Sequence, residues 1–379
     1  MRVCLAYDCL FPYTVGGAER WYRNLADRLA RAGHEVTYLT LRQWERGDAP
    51  RIEGVDVVAV GPRASLYARG RRRIGPTLRF GEGVLRHLLA HGDRYDAVHI
   101  ASFPYFSVLA AGVARRRHGF RLFVDWHEVW TRAYWREYLG AAGSVGWAVQ
   151  RACIAIPHRA FCFSRLHERR LLEEGFRGEV TVLGGEYAGP LDLPVRTEPG
   201  RTVVYAGRHI PEKRVPAVVD AVAWARERVP DLGAAIFGDG PQRVEVLARV
   251  RSLALDGAVD VPGFVEAERV DAAIAEALCL VLPSRREGYG LVVVEACAHG
   301  TPAIVVSGPD NAATELIEEG ENGFVAASAA PEVLGAAILR VREGGAALRA
   351  STAAWFRRNA RRLSIESSLE TVLAAYGSR

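Results

Sequence analysis

Lysine is almost missing from this 379-residue chain: of its 49 basic residues only Lys213 is a lysine, and the rest are arginine. A bias that replaced lysine nearly everywhere makes the exception informative, because a site that tolerates arginine would have lost its lysine too. Long apolar runs are missing as well. No stretch approaches the ~18–20 consecutive apolar residues of a membrane span. The opening MRVCLAYDCL reads as a strand, without the apolar region and cleavage site of a secretory signal, so a cytoplasmic chain is expected. The six cysteines (Cys4, Cys9, Cys153, Cys162, Cys279 and Cys297) form no C-x-x-C pair, and none stands near a histidine at zinc-ligand spacing. They read as small reduced core residues rather than a disulfide framework or a metal site. With 49% hydrophobic and 25% charged residues the chain is not disordered, and at ~100–200 residues per domain its length suggests two domains.

Charge is unevenly spread. Residues 1–190 hold 28 Arg against 19 Asp and Glu, a balance of +9, so the overall +5 leaves −4 for the remainder. Two similar series of apolar runs and amphipathic helical stretches follow one another. The first starts at VCLAYD (3–8), passes a loop with Gly16-Gly17 and a helix over about 18–32, and continues through runs at 34–40, 55–60, 96–101, 120–125, 160–164 and 179–183. The second starts at RTVVYAG (201–207) and continues through runs at 232–238, 258–263, 278–284, 301–307 and 322–327, before helical stretches at 331–345 and 346–377. Such alternation predicts parallel sheets covered on both faces. The Gly- and Pro-rich segment 184–200 reads as the linker. The fold class is therefore α/β, with two doubly wound domains, 1–188 and 189–362, facing a cleft, and a last helix, 363–379. Ligands in such sheets bind beyond the carboxyl ends of the strands.

Two motifs lie at strand ends. In EGYGLVVVE (287–295), Glu287 and Glu295 stand a little over two turns apart, with Gly288 and Gly290 at the start of a helix whose free N–H groups suit a phosphate. Taken alone, the pair more commonly means an acidic first turn and a buried, satisfied glutamate. In YAGRHIPEKR (205–214), Arg208 and Lys213 put a guanidinium and an ammonium beyond a strand, as a diphosphate requires. Arg208 by itself would be ordinary surface charge, but Lys213 is harder to read that way.

G-R-x5-K followed by E-x7-E resembles the donor site of the retaining glycosyltransferases of family 4, which have the GT-B fold of two Rossmann-like domains. Further matches run through most of the chain: Gly16-Gly17-Ala18-Glu19, Asp125-Trp126-His127-Glu128, IFGDGP (236–241), PGFV (262–265) and GPDNAATELIEEGENGF (308–324). The resemblance implies that Arg208 and Lys213 bind the donor diphosphate, and that Glu287 contacts the sugar hydroxyls. Backbone around Tyr289, Gly290, Leu291 and Val292 would hold the sugar and β-phosphate, and Glu295 the ribose. Gly238, Asp239 and Gly240, with Phe264 and Val265, would border the base. Gly16 and Gly17 would approach the phosphates on closure, His127 would lie near the anomeric centre, and the last helix would cross back onto the first domain.

The expected reaction is transfer from a UDP-, GDP- or ADP-linked sugar with retention. No D-x-D motif suggests a metal, and Arg208 with Lys213 can supply the countercharge, so neither metal nor cofactor is expected. His127 reads as structural if taken alone, and as a sugar contact beside Glu128 and four nearby tryptophans. Asp8 and Glu19 read either as site residues or as groups serving the first loop and helix. The basic, aromatic segments 63–80, 115–117 and 132–138 fit a small-molecule or lipid-linked acceptor and peripheral contact with the inner face of a membrane, or else simply solvated arginine. No nucleic-acid motif accompanies them. A sugar-nucleotide epimerase on the same fold and a non-catalytic sugar-nucleotide binder stay open. An oxidoreductase is disfavoured, since no G-x-G-x-x-G follows the first strand.

Overall fold

In the computed structural model, which describes residues 1–45, 47–68 and 71–377, the apolar runs of the first half form one parallel sheet. Its strands are β1 (Arg2–Ala6), β2 (Glu35–Leu41) and β3 (Val55–Gly61). An antiparallel two-residue pair follows, β4 (Tyr67–Ala68) with β5 (Arg71–Arg72). The sheet resumes with β6 (Ala97–Ala101), β7 (Arg121–Trp126), β8 (Arg159–Cys162) and β9 (Val180–Val182). The order across the sheet is β3-β2-β1-β6-β7-β8-β9. Parallel neighbours need crossover connections, and the intervening helices supply them: α1 (Gly17–Arg31), α2 (Ile74–His91), α3 (Phe106–His118), α4 (Arg132–Leu139), α5 (Gly143–Ile154) and α6 (Arg165–Glu173). Covered on both faces, a central strand must be apolar throughout, and all five residues of β6 are buried. Helix α1 buries Trp21, Tyr22, Leu25, Ala26 and Leu29, a stripe at helical spacing. The basic segment 63–80 includes Arg69 and Gly70, which lie outside the described residues.

The second half repeats the plan. Strands β10 (Thr202–Ala206), β11 (Gly233–Phe237), β12 (Val259–Gly263), β13 (Cys279–Leu282), β15 (Ala303–Val306) and β17 (Gly323–Ala326) form a parallel sheet in the order β12-β11-β10-β13-β15-β17. A separate short pair, β14 (Arg286–Glu287) and β16 (Asp310–Asn311), joins two loops at the carboxyl ends of its strands. The helices are α7 (Pro216–Arg226), α8 (Arg243–Ser252), α9 (Ala267–Glu276), α10 (Leu291–Ala298) and α11 (Pro331–Leu363). Strand order reverses between β1 and β6 in one sheet and between β10 and β13 in the other. Loops leaving such neighbours diverge and open a crevice.

The chain divides into two units, Met1–Glu186 with the segment from Ile365 onward, and Tyr187–Ser364. It passes between them after Glu186 and after Ser364, where the sequence had suggested 188 and 362. Helical stretches were expected at 331–345 and 346–377, with a last helix over 363–379. Gly345, at φ 50°, kinks α11, and Ser364, at φ −74° and ψ 148°, ends it before α12 (Ile365–Gly377) begins. Extended backbone at Ser364 lets the chain leave one unit and re-enter the other. Helix α12 then packs within the first unit, burying Ile365, Val372 and Tyr376 and pairing Glu366 with Arg28 at 2.5 Å. All six cysteines are buried, and burial pushes the thiols of Cys4, Cys153, Cys162, Cys279 and Cys297 up. Among the described residues no helix is long and apolar enough to cross a membrane.

Candidate active site

In the second unit the candidate residues gather where strand order reverses. Beyond β10 the chain enters Gly207-Arg208-His209, and the Tyr205 hydroxyl donates to the Arg208 carbonyl at 3.0 Å. A single 3-10 turn, Pro211–Lys213, follows. Lys213 Nζ donates to Glu287 Oε1 at 2.5 Å, and Ser284 Oγ donates to the same oxygen at 2.6 Å. Both side chains are mostly enclosed, at 17% and 11% exposure, where a charge-assisted contact is strongest. An ammonium has three donors, and Glu287 takes one.

The loop that carries Glu287 is fixed by its surroundings. Asn311, 1% exposed, donates to the carbonyls of Ser284 and Val306 at 3.1 and 2.8 Å and accepts from the Ala313 amide at 3.1 Å. The Arg285 amide donates to the Glu212 carbonyl at 2.8 Å, which ties this loop to the turn bearing Lys213. Gly290 then adopts φ 103° to start α10, and a Cβ there would lie 2.7 Å from that of Ala313. Only glycine meets both demands. The helix opens with Leu291 and Val292, whose amides precede the first intrahelical acceptor and carry the positive end of the helix dipole. Glu295 stands half-buried one turn further on. Its charge, after burial and Asp271, helps push the Tyr187 phenol up to about 12.

Loops from three neighbouring strands are bonded through their backbones. The Gly207 amide donates to the Phe237 carbonyl at 3.2 Å, His209 to Asp239 at 2.8 Å, and Gly238 to Gly263 at 2.9 Å. Gly238, at φ 112°, has no room for a side chain, since a Cβ would fall 1.9 Å from the Gly207 carbonyl oxygen. Asp239 is exposed and its carboxylate accepts from the Gly240 amide at 2.7 Å. Phe264 is 65% exposed, with half-buried Val265 beside it. Arg208, exposed on its loop, and Lys213 thus lie on loops directly bonded to the Gly238–Gly240 and Glu287 segments.

Gly16, Gly17 and His127 form a second cluster, in the first unit. Gly16 is extended and precedes α1, with the Glu19 carboxylate folded back against it. Asp8 pairs with Arg72 of β5 in a buried ion pair rather than capping the helix. His127 follows β7. Its ring stacks on Phe163, with centroids 4.2 Å apart and planes at 10°, and Tyr22 approaches edge-on. Its Nδ1 lies 3.7 Å from Glu186 Oε1, and its buried Nε2 has no hydrogen-bond partner among the described residues. Burial lowers its pKa, with Asp125 and Glu128 opposing, so the imidazole is neutral at neutral pH. Behind it Asp125, fully buried, accepts from His99 Nε2 and Trp21 Nε1, each at 2.7 Å, and His99 Nδ1 bonds the Tyr376 hydroxyl of α12 at 2.6 Å. Burial pushes the Asp125 carboxyl up, but His99 and the hydrogen bonds from His99 and Trp21 prevail and hold it low.

Three of the four nearby tryptophans are too buried to serve as sugar platforms. Trp126, Trp130 and Trp135 are buried, and their indole N–H groups are bonded to His158, Glu128 and Gln150, while that of Trp147 donates to Glu174. They are packing residues, and Glu128 serves Trp130. Sequence reasoning missed Ser284, Asn311 and Glu186. The polar residue after an apolar strand was a usable signal for Ser284. Glu186 sat in a segment read as linker.

Residues 16–185 match the family described as "Glycosyl transferase 4-like domain" and residues 194–362 match "Glycosyl transferases group 1". The chain is 34% identical over 154 residues to an exopolysaccharide phosphotransferase of Streptomyces coelicolor, covering 40% of this chain and only 16% of that protein. It is 26% identical over 381 residues to glycogen synthase of Mycobacterium tuberculosis, covering 92% of this chain and 87% of that one. Its fold is similar to that of sucrose-phosphate synthase from Thermosynechococcus elongatus, with TM-score 0.80 and 19% identity over 99% and 98% of the two chains. With both units matched in order and the two parallel sheets in place, the chain belongs to the family 4-like, group 1 glycosyltransferases of GT-B fold.

Proposed function

We propose that this chain is a retaining glycosyltransferase that needs no metal ion and takes a UDP-, GDP- or ADP-linked sugar as donor. The observation that carries the reading is the Lys213–Glu287–Ser284 contact, held beside the start of α10 where the strand order of the second sheet reverses. The arrangement offers a cation and helix amides for a diphosphate, with a carboxylate next to them for sugar hydroxyls. Arg208 and Lys213 stabilise charge on the leaving diphosphate. Leu291 and Val292 amides, after Tyr289 and Gly290, hold the β-phosphate. Glu295 receives the ribose hydroxyls, and Gly238, Asp239, Gly240, Phe264 and Val265 border the base.

A front-face course fits these groups. The bond from the anomeric carbon to the diphosphate oxygen breaks, its electron pair stays with the phosphate, and the acceptor oxygen bonds the same face of that carbon. The acceptor's proton passes to the leaving phosphate oxygen, so no protein base is required. Glu287, engaged by Lys213 and Ser284, is placed for hydroxyl recognition rather than for covalent attack. The acceptor is a small molecule or a lipid-linked group.

His127 faces the sugar in this reading. We expect His127→Ala to keep nucleoside diphosphate affinity and to slow transfer by about 100-fold, the scale of one lost transition-state hydrogen bond. Calorimetry and nucleoside diphosphate release check the two halves. An unchanged rate returns His127 to a packing residue. Release that requires an acceptor, together with a product whose anomeric configuration matches the donor by NMR, separates this reading from an epimerase or a non-catalytic binder.

A further inference from the structure

The cluster around His127 contains an ionisable group that the transfer step above does not use. Glu186, 7% exposed, is the last residue of the first unit before the chain crosses. Gly185 just before it is fastened to α12, its amide donating to Ser368 Oγ at 3.1 Å and its carbonyl accepting from that hydroxyl at 2.6 Å. The carboxyl is thereby aimed at His127, with Oε1 3.7 Å from Nδ1, a sub-ångström shift from a hydrogen bond. Its other oxygen lies beside the first residue of α1, 3.9 Å from the place a Gly17 Cβ would take. Phe163 and Tyr22 hold the imidazole plane, so the ring cannot turn away without losing its stack. A neutral imidazole carries one proton on two nitrogens. What Glu186 does at Nδ1 therefore decides what the unpartnered Nε2 offers.

We propose that Glu186 is a positioning residue for His127: through Nδ1 it sets the imidazole tautomer, and so determines whether Nε2 meets the substrate as a donor or as an acceptor. The proposal rests on the reading of His127 as the residue facing the sugar. The charged groups around the pair are Asp125 of β7, with His99 of β6 behind it, and Glu128 beyond His127. Burial first, and the Asp125 charge second, push the Glu186 carboxyl up to about 8. At neutral pH it keeps its proton and donates to Nδ1, and Nε2–H then donates to a substrate hydroxyl oxygen. Above about pH 8 the carboxylate accepts from Nδ1–H instead, and Nε2 turns acceptor.

The test uses the full chain with 15N-labelled histidine and long-range 1H–15N correlation spectra, in which His127 is identified by its loss in His127→Asn. In the wild type we expect the Nε2–H tautomer below pH 7, inverting through about pH 8. Glu186→Gln, whose amide can donate to Nδ1 at any pH, holds the low-pH pattern to about pH 9, and Glu186→Leu gives mixed tautomers. The same His127 pattern and pH course in the wild type and in Glu186→Gln would overturn the proposal, and that isosteric variant decides even if Glu186→Leu does not fold. No donor or acceptor is needed, so failure to bind sugar nucleotides counts against the transferase reading without touching this result. A second readout is the slow rate at which nucleoside diphosphate is released, with water as the acceptor, from whichever of UDP-, GDP- or ADP-glucose binds best. It should fall above about pH 8 in the wild type and stay level in Glu186→Gln, with KM unchanged. A tautomer that responds while the two rate profiles coincide removes the catalytic half of the inference.

Discussion

Lys213→Met should weaken nucleoside diphosphate binding by about 100-fold and also cost stability. The first effect follows from losing a charge-assisted hydrogen bond to phosphate, ~1.5–3 kcal/mol, where ~1.4 kcal/mol is tenfold. The second follows from the pair itself. With Lys213 Nζ 2.5 Å from Glu287 Oε1, removing the ammonium leaves a carboxylate at 11% exposure with the Ser284 hydroxyl on that oxygen. Stranding a buried charge in this way costs ~3–5 kcal/mol, and somewhat less where solvent reaches the pair. The double variant Lys213→Met with Glu287→Gln should recover most of the melting temperature, since the amide oxygen still accepts from Ser284, while leaving nucleotide affinity low. Recovery of both would mean that the lysine serves the fold alone. Lys213→Arg sharpens the point in a chain so rich in arginine: a longer, planar fork cannot take the place of a point charge seated between Glu287 and a phosphate, so calorimetry should show affinity well below wild type.

Glu186→Gln is expected to stabilise the protein, and increasingly so as pH rises. The free carboxyl near 4.5 is pushed up to about 8 in the folded state, by burial and by Asp125. Between those values the unfolded chain releases the proton and the folded chain retains it, so this group's contribution to stability is full below about 4.5 and falls as pH rises to about 8, levelling beyond. The full difference corresponds to at most ~5 kcal/mol. Glutamine has no proton to lose and removes the slope. Melting curves at pH 5 and pH 8.5 check this: the variant's advantage should be small at the first and several degrees at the second. Equal advantages at both would show that Glu186 ionises freely in the fold.

Much of this was legible in the sequence because it rests on local patterns. Short apolar runs alternating with amphipathic stretches dictate parallel sheets, and a glycine beyond a strand, as at Gly238 and Gly290, marks backbone that must pass close to something. The lone lysine pointed to Lys213, and the structure places it on Glu287. What was not legible depends on contacts distant in the chain. Glu186 lay in a segment with no periodicity, and only the fold brings it to His127, 59 positions earlier. The tryptophans after Asp125 looked available for a sugar because composition does not show which indoles are already bonded inside the core. The break before the last helix, placed after 362 from the sequence, lies at Ser364, where the chain returns to the first unit.

The most direct test of the central claim is calorimetric titration of the full chain, in EDTA, with UDP, GDP and ADP and their glucose conjugates. The account predicts that one nucleotide binds tightly without metal, and that Lys213→Met abolishes most of that binding while leaving the wild-type fold by circular dichroism. No binding to any of them, with metal or without, would contradict it.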